Sequence, residues 1–280
     1  MAYQLDNPEA TILPTAAVDM RIQEKKEHHP ALWVPTLYFA EGLPYFVVAT
    51  IAGLMYKSMG MGNDQIALWT GMLGFVWVFK PLWSPFLEAA RSKKAIVLLF
   101  QFFGGASLGL VALALHLPNY FAVSIALLGL VAIASATHDI AADGLYIASL
   151  SSTQQATYAG WQGGFYNVAR FFSLGGLVVL AGYFEKRMPV AQAWSLIFGM
   201  LGVSMLLLAI YHLWALPAGR NPPRPAGGMR GVWLTLREVI IDFFQKPGIW
   251  LAILFIILFR AGEGQITTIG PLFLRAARAE

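Results

Sequence analysis

The chain has 280 residues, of which 58% are apolar and only 12% charged, with a formal net charge of +4 and no cysteine. Soluble domains carry about a quarter charged residues, so this composition excludes a soluble enzyme, a nucleic-acid binder and a disordered tail, and the absent thiols exclude disulfides and thiolate metal sites. The basic residues are scattered among short loops rather than gathered in a patch, so the positive charge reads as topology, with no nucleic-acid partner.

Residues 1–30 are polar and include Arg21, Lys25, Lys26 and a His28-His29 pair, which is not the pattern of a cleaved signal peptide. From Ala31 the chain divides into seven apolar stretches, near 31–56, 66–87, 95–117, 120–149, 157–183, 190–216 and 249–273. Each is long enough to cross a hydrocarbon core at about 1.5 Å per residue. The stretches are apolar on every face rather than alternating, so they predict helices and not barrel strands. The connection from Pro217 to Pro247 opens with a Pro- and Gly-rich run and then offers Val232–Phe244 as a short basic amphipathic helix.

The predicted organisation is therefore all-α and integral to a membrane. A cytoplasmic tail (1–30) leads into a six-helix domain (31–216), followed by a cytoplasmic linker (217–248) and the first helix of a second half (249–280). Lys and Arg concentrate on the side of the N-terminus, which predicts a multi-pass protein of the inner (plasma) membrane with a cytoplasmic N-terminus. Trp33, Trp83, Trp214 and Trp250 fall at inner ends and Trp69 and Trp194 at outer ends, where they read as lipid anchors.

Ionisable residues inside a span are costly and mark function by default. The carboxylates are Glu41 in the first stretch, Asp139 and Asp143 in the fourth and Glu263 in the seventh; the cations are Lys80 in the second, Arg170 in the fifth and Arg260 in the seventh. The third and sixth stretches carry none, and His116 and His212 near their ends read as solvated or snorkelling side chains, so these two helices are expected to be lipid-facing scaffold. Acids recurring every third helix suggest a three-helix unit used twice, as in many secondary transporters.

Asp139 and Asp143 lie one helical turn apart, and two bare carboxylates there would repel, so a cation or a proton must intervene. Lys80 is the natural partner. With four acids against three bases, one carboxylate is left for a proton. Pro35 and Pro44 flank Glu41 and Pro81 follows Lys80, and broken backbone at depth is tolerated only inside protein or along a cavity. Gln162, Gly163, Gly164 and Asn167 precede Arg170 as a polar strip on the fifth helix. These features predict alternating access about a midplane site, with Asp139 or Asp143 carrying the proton and Arg170 and Arg260 reading an anionic group.

The segments Val78-Phe79-Lys80-Pro81-Leu82-Trp83-Ser84-Pro85-Phe86-Leu87-Glu88 and His138-Asp139-Ile140-Ala141-Ala142-Asp143 resemble the AmpG-type permeases of the major facilitator superfamily, relatives of muropeptide and acetyl-CoA transporters. Phe39-Ala40-Glu41-Gly42-Leu43-Pro44 and Phe259-Arg260-Ala261-Gly262-Glu263 extend the resemblance over about 31–275. It implies a major-facilitator-type bundle of two three-helix repeats, proton-coupled symport of a small, muropeptide- or sugar-like solute, and no cofactor or metal. It also implies a conformational latch at Glu88, Arg91, Lys93 and Lys94, although the acid here is glutamate and the usual glycine is missing. Facilitators have twelve helices, so the expected partners are the bilayer, protons, the small-molecule solute and either a missing C-terminal half or a second copy. Two other classes stay open: an intramembrane metal-dependent phosphotransferase using Asp139, Asp143 and His138, and a membrane subunit whose charges only pair.

Overall fold

The computed structural model describes residues 28–88, 90, 92–219, 228–256 and 258–259. They form two units, divided between Pro223 and Arg224. Among the described residues every regular element is a helix.

The first unit consists of helices α1 (Pro30–Ser58), α2 in two arms (Asn63–Val78 and Lys80–Glu88), α3 (Lys93–Ala114), α4 (Tyr120–Ser149), α5 (Ser152–Glu185) and α6 (Val190–Ala215). Five of them are individually long and apolar enough to cross a membrane, and the two arms of α2 together make a sixth such span. This is an all-helical, multi-pass membrane protein, and these six helices coincide with the first six apolar stretches.

Local chemistry explains where the helices start and bend. Ser92 caps α3 by accepting from the Ala95 amide, and Ser151 and Gln154 form a reciprocal capping box at the start of α5. The arms of α2 meet at 41° around Phe79. Pro81 causes the break, because its ring nitrogen has no hydrogen for the preceding turn. α1 widens into a π-helical segment at Val47–Ile51, three residues after Pro44, and α5 does the same at Phe172–Leu177, which contains Gly175 and Gly176. The two π segments touch each other. Such segments are rare and mark bends in otherwise regular helices.

In lipid the apolar effect does not hold helices together; close packing and hydrogen bonds do. The tightest example joins α3 and α6. Gly105 and Gly109 on α3 are four apart and face Gly202 on α6, where an added Cβ would lie 2.9 Å from both the Gly105 oxygen and the Gly109 nitrogen. α1 meets α5 in the same way, since a Cβ on Gly42 would lie 2.9 Å from the Cβ of Ala169. Besides its contacts with α6, α3 packs extensively on α4, while α1 packs on α5 and α4. The first arm of α2, by contrast, buries no residue, and from Ser152 to Phe171 α5 buries only Ala169.

Three expectations are corrected here. α3 and α6 are not only scaffold facing lipid, because each sends a polar side chain into the interior. His212 is not solvated at a span end: it is fully buried, with Nδ1 2.9 Å from the Gln101 Oε1 of α3 and Nε2 3.0 Å from the Thr36 hydroxyl of α1. Trp33 and Trp194 are not lipid anchors either. Trp33 packs edge-on against Tyr146, and Trp194 donates to the Glu185 carboxylate at 2.6 Å. A buried, hydrogen-bonded imidazole satisfies partners that water cannot reach, so His212→Leu is expected to cost about 2 kcal/mol. Thermal denaturation of the purified protein in detergent measures that loss, and His212→Asn should recover part of it.

The second unit contains α7 (Gly228–Gln245), which covers the predicted amphipathic helix, and a further helical segment from Ile249 to Ile256. α7 exposes Trp233, Leu234, Ile240 and Phe244 alongside Arg237 and Glu238. Arg260 and Glu263 lie outside the described residues, as does the rest of the seventh apolar stretch.

Candidate functional site

The first unit brings the charged residues of three helices, and uncharged side chains of a fourth, to one place. The bend at Phe79 starts the second arm of α2 at Lys80, and the Lys80 ammonium forms an ion pair with the Asp139 carboxylate of α4. Both side chains are mostly covered, at 24% and 20% exposure. One turn further along α4, Asp143 takes a different partner and accepts from the Tyr38 hydroxyl of α1 at 2.9 Å. That hydroxyl in turn accepts from the Gln162 amide of α5. The chain Gln162, Tyr38, Asp143 therefore ties α5, α1 and α4 together.

Glu41 stands one turn beyond Tyr38 on α1 and is the exception. Its Oε2 is buried and has no hydrogen-bond partner. A buried oxygen of a carboxylate without a donor is costly and calls for a proton, a water or a ligand. It lines a cavity of about 180 Å³ together with Tyr45, Trp77, Lys80, Ser135, Asp139 and Tyr166. Three of these are aromatic rings, with Tyr45 meeting Trp77 edge-on at 5.1 Å and Tyr166 at 6.2 Å.

The remaining predicted residues sit around this centre. Arg170 follows Tyr166 by one turn on α5 and is exposed, as is Asn167, whose amide is spent on the Gly163 carbonyl of its own helix at 2.8 Å. Gly160, Gly163 and Gly164 face open space on the same helix. His138 belongs to the other side of α4; it is buried, and neither ring nitrogen has a partner. Among the described residues no three His, Asp or Glu side chains gather as a ligand set for a metal.

Of the proposed latch, the Glu88 side chain and Arg91 lie outside what the structure describes. Lys93 donates to the Leu87 carbonyl at the end of α2 and Lys94 to the Leu216 carbonyl just past α6, both at 2.7 Å. Cations at helix C-termini meet the negative end of the helix dipole, so the pair ties the adjoining ends of α2, α3 and α6.

Sequence reasoning missed Tyr38, Tyr45, Trp77, Ser135 and Tyr166. Tyr38 and Tyr45 stand one turn either side of Glu41, and Trp77 stands three residues before Lys80, so helical spacing from the charges was the available signal. No family model matches the chain.

Proposed function

We propose that the protein is a secondary active transporter that moves a small solute by alternating access, coupled to protons, and that its fold is of the major facilitator type suggested by the AmpG-like segments. The observation that carries this reading is the buried, unpartnered oxygen of the Glu41 carboxylate at a cavity between helices. Asp139 is matched by Lys80 and Asp143 by Tyr38, which leaves Glu41 as the group to load and unload a proton. That moves the proton from Asp139 or Asp143 to Glu41. A buried acid whose neighbours are otherwise paired is the kind of group that couples protonation to helix movement.

Two features of the packing support the fold assignment. α1 packs on α5 while α4 packs on α2, and α3 packs on α6, so exchanging the first three helices for the second three maps these contacts onto one another. α2 and α5 also leave a face uncovered, with Gly71 and Gly74 on one and Gly160, Gly163 and Gly164 on the other all facing open space. Small residues along an uncovered face suit close approach by further helices, either those of a C-terminal half or those of a second copy. By the same family likeness the solute is muropeptide- or sugar-like, the N-terminus is cytoplasmic and the host membrane is the plasma membrane. The phosphotransferase reading has less support, since the two aspartates turn to separate partners.

The test uses the full chain in sealed vesicles with an imposed pH gradient and labelled muropeptide or simple sugars as cargo. Gradient-driven accumulation is expected, and Glu41→Gln should reduce it to the level of empty vesicles. Uptake indifferent to the gradient and unchanged in Glu41→Gln, Asp139→Asn and Asp143→Asn would overturn the proposal.

A further inference from the structure

The geometry points to a site for an organic ammonium group at the Glu41 cavity, the cation being held between the carboxylate and the box of Tyr45, Trp77 and Tyr166. This inference rests on the transport reading for its purpose, while the binding it describes stands on the cavity alone.

Charge decides the sign of the ligand. Of the residues that line the cavity, Glu41 and Asp139 are acids and Lys80 is the cation, and Lys80 is engaged by Asp139. Tyr38, Tyr45 and Tyr166 beside these charges add no cation. Arg170, one turn beyond Tyr166 on α5, is exposed and is not among the residues that line the cavity. An anionic group placed here would meet the Glu41 carboxylate, and the lysine that lines the cavity is already engaged by Asp139. A cationic group would supply the counter-charge that the Glu41 carboxylate lacks.

The rings decide which cation. Aromatic faces carry negative potential and attract alkylammonium groups, and several rings around one point form the arrangement that holds choline-like head groups. Hard inorganic cations instead need six or more oxygen ligands or retain their water, and among the described residues no three carboxylate or imidazole side chains gather as a ligand set for one. Its volume of about 180 Å³ is below the range of about 300–1,000 Å³ that encloses a whole drug-sized ligand. The cavity thus takes a head group, with the rest of the molecule outside it. Ammonium and proton would compete for the same carboxylate, so a solute of this kind would be exchanged against protons rather than carried with them.

The experiment measures binding of labelled choline to the full chain in lipid nanodiscs, competed by choline and by dimethylbutanol, its uncharged carbon isostere. Saturable binding is expected, with the isostere weaker by about tenfold or more, the factor that corresponds to 1.4 kcal/mol. Glu41→Gln and Tyr45→Leu should each weaken binding by a similar factor. Should either variant fail to give monodisperse protein, the isostere comparison on the unaltered chain decides alone. No saturable binding, equal binding of choline and its isostere, or full affinity in well-folded Glu41→Gln would overturn the proposal. Choline-driven proton movement in sealed vesicles then separates the two readings. Binding without flux would retain the ammonium site and remove the transport reading, whereas gradient-driven sugar uptake without choline binding would do the reverse.

Discussion

Replacing Lys80 with alanine is expected to destabilise the protein by about 3 kcal/mol, because removing one partner of a largely covered ion pair leaves the other charge uncompensated. Asp139 is only 20% exposed and has Lys80 as its ion-pair partner. The loss should appear as a lower temperature at which the purified protein loses its monodisperse peak on size exclusion. The companion experiment is the double variant Lys80→Ala/Asp139→Asn. With the stranded charge gone, most of the stability should return, and the coupling between the two sites should exceed about 1 kcal/mol in a double-mutant cycle. Additive losses in the double variant would mean that the pair is not a unit. Transport that survived in the double variant would assign the pair to architecture and leave Glu41 as the working acid.

The second large effect is expected at Gly202. A methyl group there would lie 2.9 Å from backbone atoms of Gly105 and Gly109, and backbone, unlike a flexible side chain, has nowhere to go. Gly202→Ala should therefore cost about 3 kcal/mol, near the upper end of what overpacking usually costs, and Gly202→Val should prevent recovery of folded protein. Gly199 is the internal control one turn earlier on α6. Its added Cβ would meet Ala112 at an ordinary 4.0 Å, so Gly199→Ala should be close to neutral. The same thermal assay on both variants checks the pair; alanine is a better helix former than glycine by about 1 kcal/mol, so a Gly202→Ala variant no less stable than Gly199→Ala would show that the α3–α6 contact does not limit this position.

The charges of the site were legible in the sequence because a lysine or an aspartate within an apolar run stands out against its surroundings, whatever the fold. Lys80, Asp139, Asp143 and Glu41 are of this kind, and their convergence follows from the cost of leaving any of them in lipid. The aromatic lining was not legible. Tyr45, Trp77 and Tyr166 sit in a chain that is 14% aromatic, and a ring facing a cavity has the same sequence surroundings as one facing lipid. His212 was misjudged for a related reason: distance from a span end measures depth, whereas burial depends on which neighbours cover the face. Trp33 and Trp194 show the same ambiguity, since an indole near a helix end serves a lipid belt or a protein core equally well. The glycine contact between α3 and α6 needs both partners to be seen at once, and Gly105 and Gly202 are 97 positions apart.

The two π segments set a rule about what lengths α1 and α5 tolerate. A wide turn accommodates one residue more than an α-turn, so Val47–Ile51 and Phe172–Leu177 each hold an extra position that the helix on either side does not need. Loss of one residue within either segment would let the helix close to ordinary geometry with both flanks still in phase. Loss of one residue at Leu37, by contrast, would swing everything on one side of it by about 100° and take Tyr38 out of register with Asp143 and Gln162, and Glu41 with its cavity. Single-residue gaps among homologues of this chain should therefore gather at these two places and be absent from the turns between them and the site.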